Sequence, residues 1–197
     1  LASSNSKKLL ELEQMLSSKQ VEFVPQSKFS ITDAVEDGST FVENALIKAR
    51  HASKFSGLPA LADDSGLEVD ALKGAPGIYS ARYANMQGDG NSSDDANNAL
   101  LLARMTGLPS SKRKARFKCA IVLVRTYDDP EPLICEGVWE GRILVNPAGT
   151  NGFGYDPLFF VPGQCCSSAE LEPEVKNSIS HRGQALKELL ARWPDLS

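Results

Sequence analysis

The sequence carries no surplus of basic residues: 21 Lys and Arg stand against 25 Asp and Glu, for a net charge of -4. Binding a nucleic-acid polymer or an acidic membrane calls for the opposite balance, because each neutralised phosphate needs a cation. Neither partner is therefore expected, and any anionic ligand must be held by a local basic cluster. Cysteine is sparse, four in 197 residues with none in C-x-x-C spacing, which argues against a disulfide framework and against zinc. Cys119 and Cys135 fall within apolar runs and read as buried thiols. Cys165-Cys166 is a vicinal pair in a polar loop and reads as two free thiols, since a disulfide between neighbours is strained. A reducing cytoplasm fits this usage. No apolar run is long enough to span a bilayer, and no secretory apolar region is present. There is also no G-x-x-x-x-G-K-[ST] phosphate loop.

What is present is ample apolar content, 42% of residues, enough for one large domain or one domain with a lobe. Leu1-Ala2, directly before a polar Ser3-Ser4-Asn5 turn, reads as the last two residues of a strand whose beginning lies outside the numbered chain. The stretch that draws attention is Ala60-Leu-Ala-Asp-Asp-Ser-Gly-Leu67, an apolar run expected to end at Asp63 and Asp64. Adjacent carboxylates repel and are costly to desolvate, so at the mouth of a buried strand they call for a cation or a donor cluster. A metal site and an Asp-Ser-Gly turn closing the strand are both compatible with these residues.

Around this stretch the chain alternates helix and strand signals. Ser3 to Lys8 precede Leu9, Leu12 and Leu16 at helical spacing. Small polar residues before a helix gather free N-H groups and the positive end of its dipole, and Lys7 and Lys8 stand beside them, the outline of a phosphate site; an N-cap with solvated lysines is the alternative. Val21-Val24 alternates like a strand. Thr40-Phe-Val-Glu43 has the capping-box pattern, followed by a helix with Ala45, Leu46, Ala49 and Ala52 on one face. That pattern occupies Glu43 and leaves Glu36, in the loop before it, able to reach the Asp63-Asp64 edge as an oxygen ligand in the style of Mg2+. Lys48 on the same helix could touch a phosphate. Asp94 and Asp95 are expected to cap the helix Ala96-Met105, after a Gly-rich loop over Gln87-Asp95.

Phe117-Val124 is the strongest strand, with Leu133-Trp139 as its antiparallel partner and Gly141-Val145 extending the meander, so the sheet is expected to be mixed. In Pro147-Pro157, glycines surround Phe153 and Tyr155, which could stack on a base. Leu158-Val161 reads as a buried strand. Lys176, His181 and Arg182 gather before a helix expected over Gln184-Trp193, a plausible anion or carbonyl reader.

Taken in order, Ser3-Lys8, Thr40-Ala45, Ala62-Gly66, Gly74-Arg82, Gly152-Pro157 and Ser180-Gly183 resemble the motifs of the bacterial inosine triphosphate pyrophosphatase family, which hydrolyses dITP, ITP and XTP to the monophosphate and pyrophosphate. The resemblance spans essentially the whole chain. It implies an α/β fold built on an elongated mixed sheet flanked by helices, a single domain over 1-197 with two lobes and a central nucleotide cleft, and a homodimer. It implies Mg2+ held by Glu36, Asp64 and Asp63, with Asp64 as catalytic proton acceptor and Ser65 at a substrate contact. Ser3, Ser4, Asn5, Ser6, Lys7, Lys8 and Lys48 would hold the triphosphate. Phe153, Gly154, Tyr155, Asp156, Lys176, His181 and Arg182 would hold the base, with His181 and Arg182 donating to a 6-keto oxygen that adenine lacks. Ser3-Ser4 stands where the family usually has Thr-Gly, and Cys165-Cys166 occupies a loop that is usually Cys-free. Maf-like pyrophosphatases and a non-hydrolysing nucleotide-binding module are the alternatives; Ser180-Gly183 argues against the first, and Glu36 with Asp64 against the second.

Overall fold

The computed structural model describes residues 1-3, 8, 11-12, 16, 22-86 and 92-193. Five strands hydrogen-bond in sequence order: β1 Ala60–Val69, β2 Lys114–Val124, β3 Leu133–Ile143, β4 Phe159–Val161 and β5 Cys166–Ser167. The helices are α1 Phe41–Ser56, α2 Asp94–Arg104, α3 Pro173–Ile179 and α4 His181–Ala191, joined by short 3-10 turns. Lys8, Glu11, Leu12 and Leu16 are also helical. The expected α/β class, a sheet flanked by helices, holds, but in place of a mixed sheet β4 pairs antiparallel with both β3 and β5.

Chain contacts divide the molecule into two compact units: Leu1–Asp64, Cys119–Gly137 and His181–Ser197 form unit 1, while Ser65–Lys118 and Val138–Ser180 form unit 2. In unit 1, Leu12, Leu16, Leu61, Cys119, Ile121, Leu123, Leu186 and Leu189 form a buried cluster. In unit 2, Phe117, Trp139 and Phe159 meet with ring centroids 4.5 to 6.4 Å apart. Leu67, Tyr83, Leu101, Met105 and Tyr155 join the same core. Arg113 is buried there among carbonyl acceptors. Its three guanidinium nitrogens donate to the carbonyls of Ile143, Met105 and Leu144, and burial pulls its pKa below the ordinary value.

α1 begins as its sequence predicts. Thr40 Oγ1 accepts from Glu43 N, and Glu43 Oε2 accepts from Thr40 N, both at 3.1 Å, so two otherwise unpaired donors of the first turn are satisfied. Gly57, at φ +70°, ends the helix.

Several boundaries differ from expectation. β1 does not stop at Asp63; it runs on through Asp64, Ser65 and Gly66 to Val69. Each carboxylate finds cations within reach, so the polar pair can stay inside the strand. Glu22 to Val24 are not strand, and Val21 lies outside the described residues. The backbone there is still paired: Leu1 N donates to Val24 O, Gln26 N to Leu1 O and Ala2 N to Leu61 O. Leu133–Ile143 is one strand rather than two, with Gly141 inside it. A Cβ at Gly141 would run into the ring of Phe159. Asp94 and Asp95 lie in the first turn of α2, and Ser93 is the cap, its Oγ accepting from Ala96 N. Of the Gly-rich loop expected over Gln87-Asp95, positions 87-91 lie outside the described residues. The last helix starts at His181, so His181 and Arg182 belong to its first turn rather than to a loop before it. It can start there because residue 137 is glycine: a Cβ at Gly137 would collide with the His181 carbonyl.

Candidate active site

The strand β1 decides where each of its two carboxylates points. Successive side chains of a strand face opposite sides, so Asp63 and Asp64, neighbours in sequence, meet different partners. Asp64 Oδ1 accepts from Lys48 Nζ at 2.9 Å, and its Oδ2 from Asn44 Nδ2 at 3.4 Å. Asp63 Oδ2 accepts from Arg182 Nη2 and pairs with Lys8 Nζ, both at 3.1 Å.

The Asp64 side carries a second carboxylate. Lys48 Nζ lies 3.5 Å from Glu36 Oε1 as well as 2.9 Å from Asp64. Two acidic oxygens from different segments thus flank one ammonium nitrogen. Burial pushes the Lys48 ammonium towards neutrality, but the negative charges of Asp64, Asp63 and Glu36 outweigh it and raise its pKa above the ordinary value. Asn44, fully buried on α1, takes Gly38 N on its Oδ1 at 2.9 Å while its Nδ2 faces Asp64. The loop that carries Glu36 is thereby tied to the strand that carries Asp64.

The Asp63 side is an ion cluster of another kind. Asp63 is 2% exposed and Arg182 3%, and Arg182 Nη1 also donates to Glu11. Burial alone would raise the Asp63 pKa; Lys8, Arg182 and Lys48 reverse that and hold it well below the usual carboxylate range. Among the described residues no group of three or more His, Cys, Asp or Glu is arranged to hold a metal.

Unit 2 has its own polar centre, around Asp156. Its Oδ2 accepts from Lys176 Nζ at 2.7 Å and from Phe153 N at 2.8 Å, and its Oδ1 from Ser168 Oγ at 2.8 Å. Asp156 and Lys176 are both buried. The Lys176 ammonium also lies 5.0 Å from the centroid of the half-buried Phe153 ring, within range of a cation-π contact.

The sequence pattern of the Ham1 family matches residues 1-192. The chain belongs to the Ham1 family. A dITP/XTP pyrophosphatase of Vibrio parahaemolyticus is 56% identical to it over 192 residues, covering 98% of this chain and 94% of that protein. Among solved structures, a HAM1 protein from Coxiella burnetii superposes with a TM-score of 0.88 at 51% identity, covering 96% of this chain and 94% of the other. The Ham1 protein of Staphylococcus aureus gives 0.83 at 40%, covering 97% and 95%.

In this Ham1 chain the residues expected at the site fall into distinct groups. Glu36, Lys48 and Asp64 come together. Asp63 does not join them; it is held by Lys8 and Arg182. Lys176, Asp156 and Phe153 form the unit 2 centre, beside Gly154 at φ +63°. Tyr155 is not available to stack on a ligand: it is 4% exposed, its hydroxyl donates to Ser80 O at 2.9 Å, and it belongs to the core. Its neighbour Phe153 keeps the more open position. His181 is buried at the start of α4. Ser65 is half-buried in β1, and Ser3 is half-buried near the chain start. Ser4, Asn5, Ser6 and Lys7 lie outside the described residues. Glu11 and Asn44 were not singled out from the sequence. Asn44 follows the capping-box Glu43, inside a segment already marked as a motif, and that was the available signal. Glu11 belongs to no motif in the sequence and carried none.

Proposed function

We propose that this Ham1 chain is a pyrophosphohydrolase of purine nucleoside triphosphates with a 6-keto base, cleaving ITP, dITP and XTP to the monophosphate and pyrophosphate. The observation that carries the reading is the Glu36-Lys48-Asp64 group: two acidic oxygens about one ammonium, from the loop before α1, the middle of α1 and β1, in a chain 56% identical to a dITP/XTP pyrophosphatase.

A divalent ion fits this donor set. Glu36 and Asp64 offer hard carboxylate oxygens, and a cation such as Mg2+ that shares its ligands with substrate phosphates takes only one or two carboxylates from the protein. Bound there, it would screen the triphosphate and polarise its phosphorus. Asp64 is the group that accepts a proton from, or orients, the attacking water, because its Oδ1 loses its cation if Lys48 turns to a phosphate. Lys48 and Lys8, with Ser3 to Lys7, hold the triphosphate and stabilise the departing pyrophosphate. Asp63 then acts as the anchor that keeps Lys8 and Arg182 in position rather than as a metal ligand. Phe153, Gly154, Asp156 and Lys176 of unit 2 contact the base. His181 donates to the 6-keto oxygen; an adenine amino group there would set donor against donor and leave buried groups unpaired.

We further propose that residues 1-197 form one domain whose lobes are the two units, that the protein is a homodimer, and that it works in the cytoplasm. Among the described residues no helix is long and apolar enough to cross a membrane. The decisive experiment measures pyrophosphate against orthophosphate release from ITP, dITP, XTP, ATP and GTP with Mg2+. Pyrophosphate from the first three, with ATP and GTP far poorer, is expected. Orthophosphate as the first product would mean attack at a different phosphorus and would overturn the reading.

A further inference from the structure

The segment around Phe153 has little within itself to fix its conformation. Gly152 and Gly154 flank the ring residue at φ +74° and +63°, and glycine moves between that region and its mirror at almost no cost. Gly152 is needed for space, since a Cβ there would run into the Asp156 carboxylate. Gly154 has open space around it, so its requirement is one of backbone angle alone.

The fixing comes from α2, within the same unit. Asp94 Oδ2 accepts from Gly154 N at 2.8 Å, and Asn98 Nδ2 donates to Gly154 O at 2.9 Å. Residues four apart share one helix face, so this pair grips both backbone polar groups of a single glycine. Asp156 Oδ2 holds Phe153 N from the other side. The helix itself does not call for Asp94: Ser93 already caps it, and Asp95 supplies the same charge to its first turn.

We infer that Asp94 and Asn98 are positioning residues for base recognition. They lock Gly154 so that the Phe153 ring, already beside the Lys176 ammonium, meets the base in one orientation. This rests on the reading of Phe153 as a base contact, and the test separates the two.

Steady-state kinetics on dITP are measured with the full chain. Asp94→Ala and Asn98→Ala are each expected to raise KM for dITP about tenfold, the loss of one charge-assisted or part-buried hydrogen bond. The kcat stays within about twofold, and inhibition by pyrophosphate, which has no base, does not change. Asp94→Asn keeps an acceptor oxygen and restores KM. Asp95→Ala, in the same helical turn, leaves KM at the parent value. Phe153→Ala is the parallel arm. If it leaves KM for dITP unmoved, the base-contact reading fails, and this inference with it. If Phe153→Ala raises KM while Asp94→Ala and Asn98→Ala do not, the positioning inference alone is overturned. A weakening of pyrophosphate inhibition equal to the loss for dITP would also overturn it, because it would show a general loosening of the fold.

Discussion

Replacing Arg182 with Met removes the guanidinium that Asp63 and Glu11 share, while an unbranched side chain of similar reach fills the space. Asp63 is then left 2% exposed, still paired with Lys8 3.1 Å away. Removing one member of a buried ion pair costs about 3–5 kcal/mol, because the other charge stays desolvated. Lys8 keeps the loss near the lower end, at about 3 kcal/mol. In a chain of this size that corresponds to a Tm lowered by roughly 6–12 °C. Scanning calorimetry gives the shift, and urea unfolding followed by far-UV circular dichroism gives the free energy. Adding Asp63→Asn to Arg182→Met is expected to recover part of the stability, since no bare carboxylate then remains buried. A Tm for Arg182→Met within about 2 °C of the parent would refute the reasoning. Arg182 would then be a ligand donor alone, as its sequence position first suggested, and only KM for dITP would move.

Asp64→Asn is expected to lower kcat at least a hundredfold or so, the usual range for a lost acid-base group, with an unchanged circular dichroism spectrum. Near-parent turnover would remove Asp64 from the chemistry. Tyr155→Phe leaves the Ser80 carbonyl without its buried donor and should cost about 1–2 kcal/mol in urea unfolding, with KM for dITP unaltered. A raised KM at full stability would return Tyr155 to the binding surface. Burial pushes the Cys119 thiol up to about 12 and the Cys135 thiol up to about 11. Only the thiolate reacts, so at pH 8 a disulfide reagent should modify the exposed Cys165 first and leave both buried thiols silent, their reactivity rising as pH climbs towards those values. Rapid modification of Cys119 in the native protein at pH 8 would contradict that burial.

Where local chemistry decides structure, the sequence was readable. Thr40 to Glu43 carries its capping instructions within four residues, and Phe117–Val124 has the β-branched density that makes a buried strand. The motifs that place Glu36, Lys48 and Asp64 were visible for the same reason. What escaped depends on partners far along the chain. Asp63 and Asp64 looked like the end of a strand because unpaired acids are unwelcome in one; Lys8, Lys48 and Arg182, which make them tolerable, are separated from them by up to 119 positions. Tyr155 and Phe153 look alike in a Gly-rich loop, and only the Ser80 carbonyl, 75 positions away, assigns one to the interior. Nothing local to His181 and Arg182 shows that a glycine at 137 lets a helix start so close to the sheet, so in the sequence they read as residues ahead of it.

The alternation of Asp63 and Asp64 across β1 has a consequence for how this protein can change. Gaining or losing one residue ahead of them, anywhere between Ala60 and Ala62, would invert their parity. The anchor would be handed to the lysine of α1, and the reactive group would be locked against an arginine. Chain length in this one segment is therefore more tightly constrained than side-chain identity, and insertions should be tolerated beside the exposed Tyr127 and Asp128 long before a single one is tolerated here.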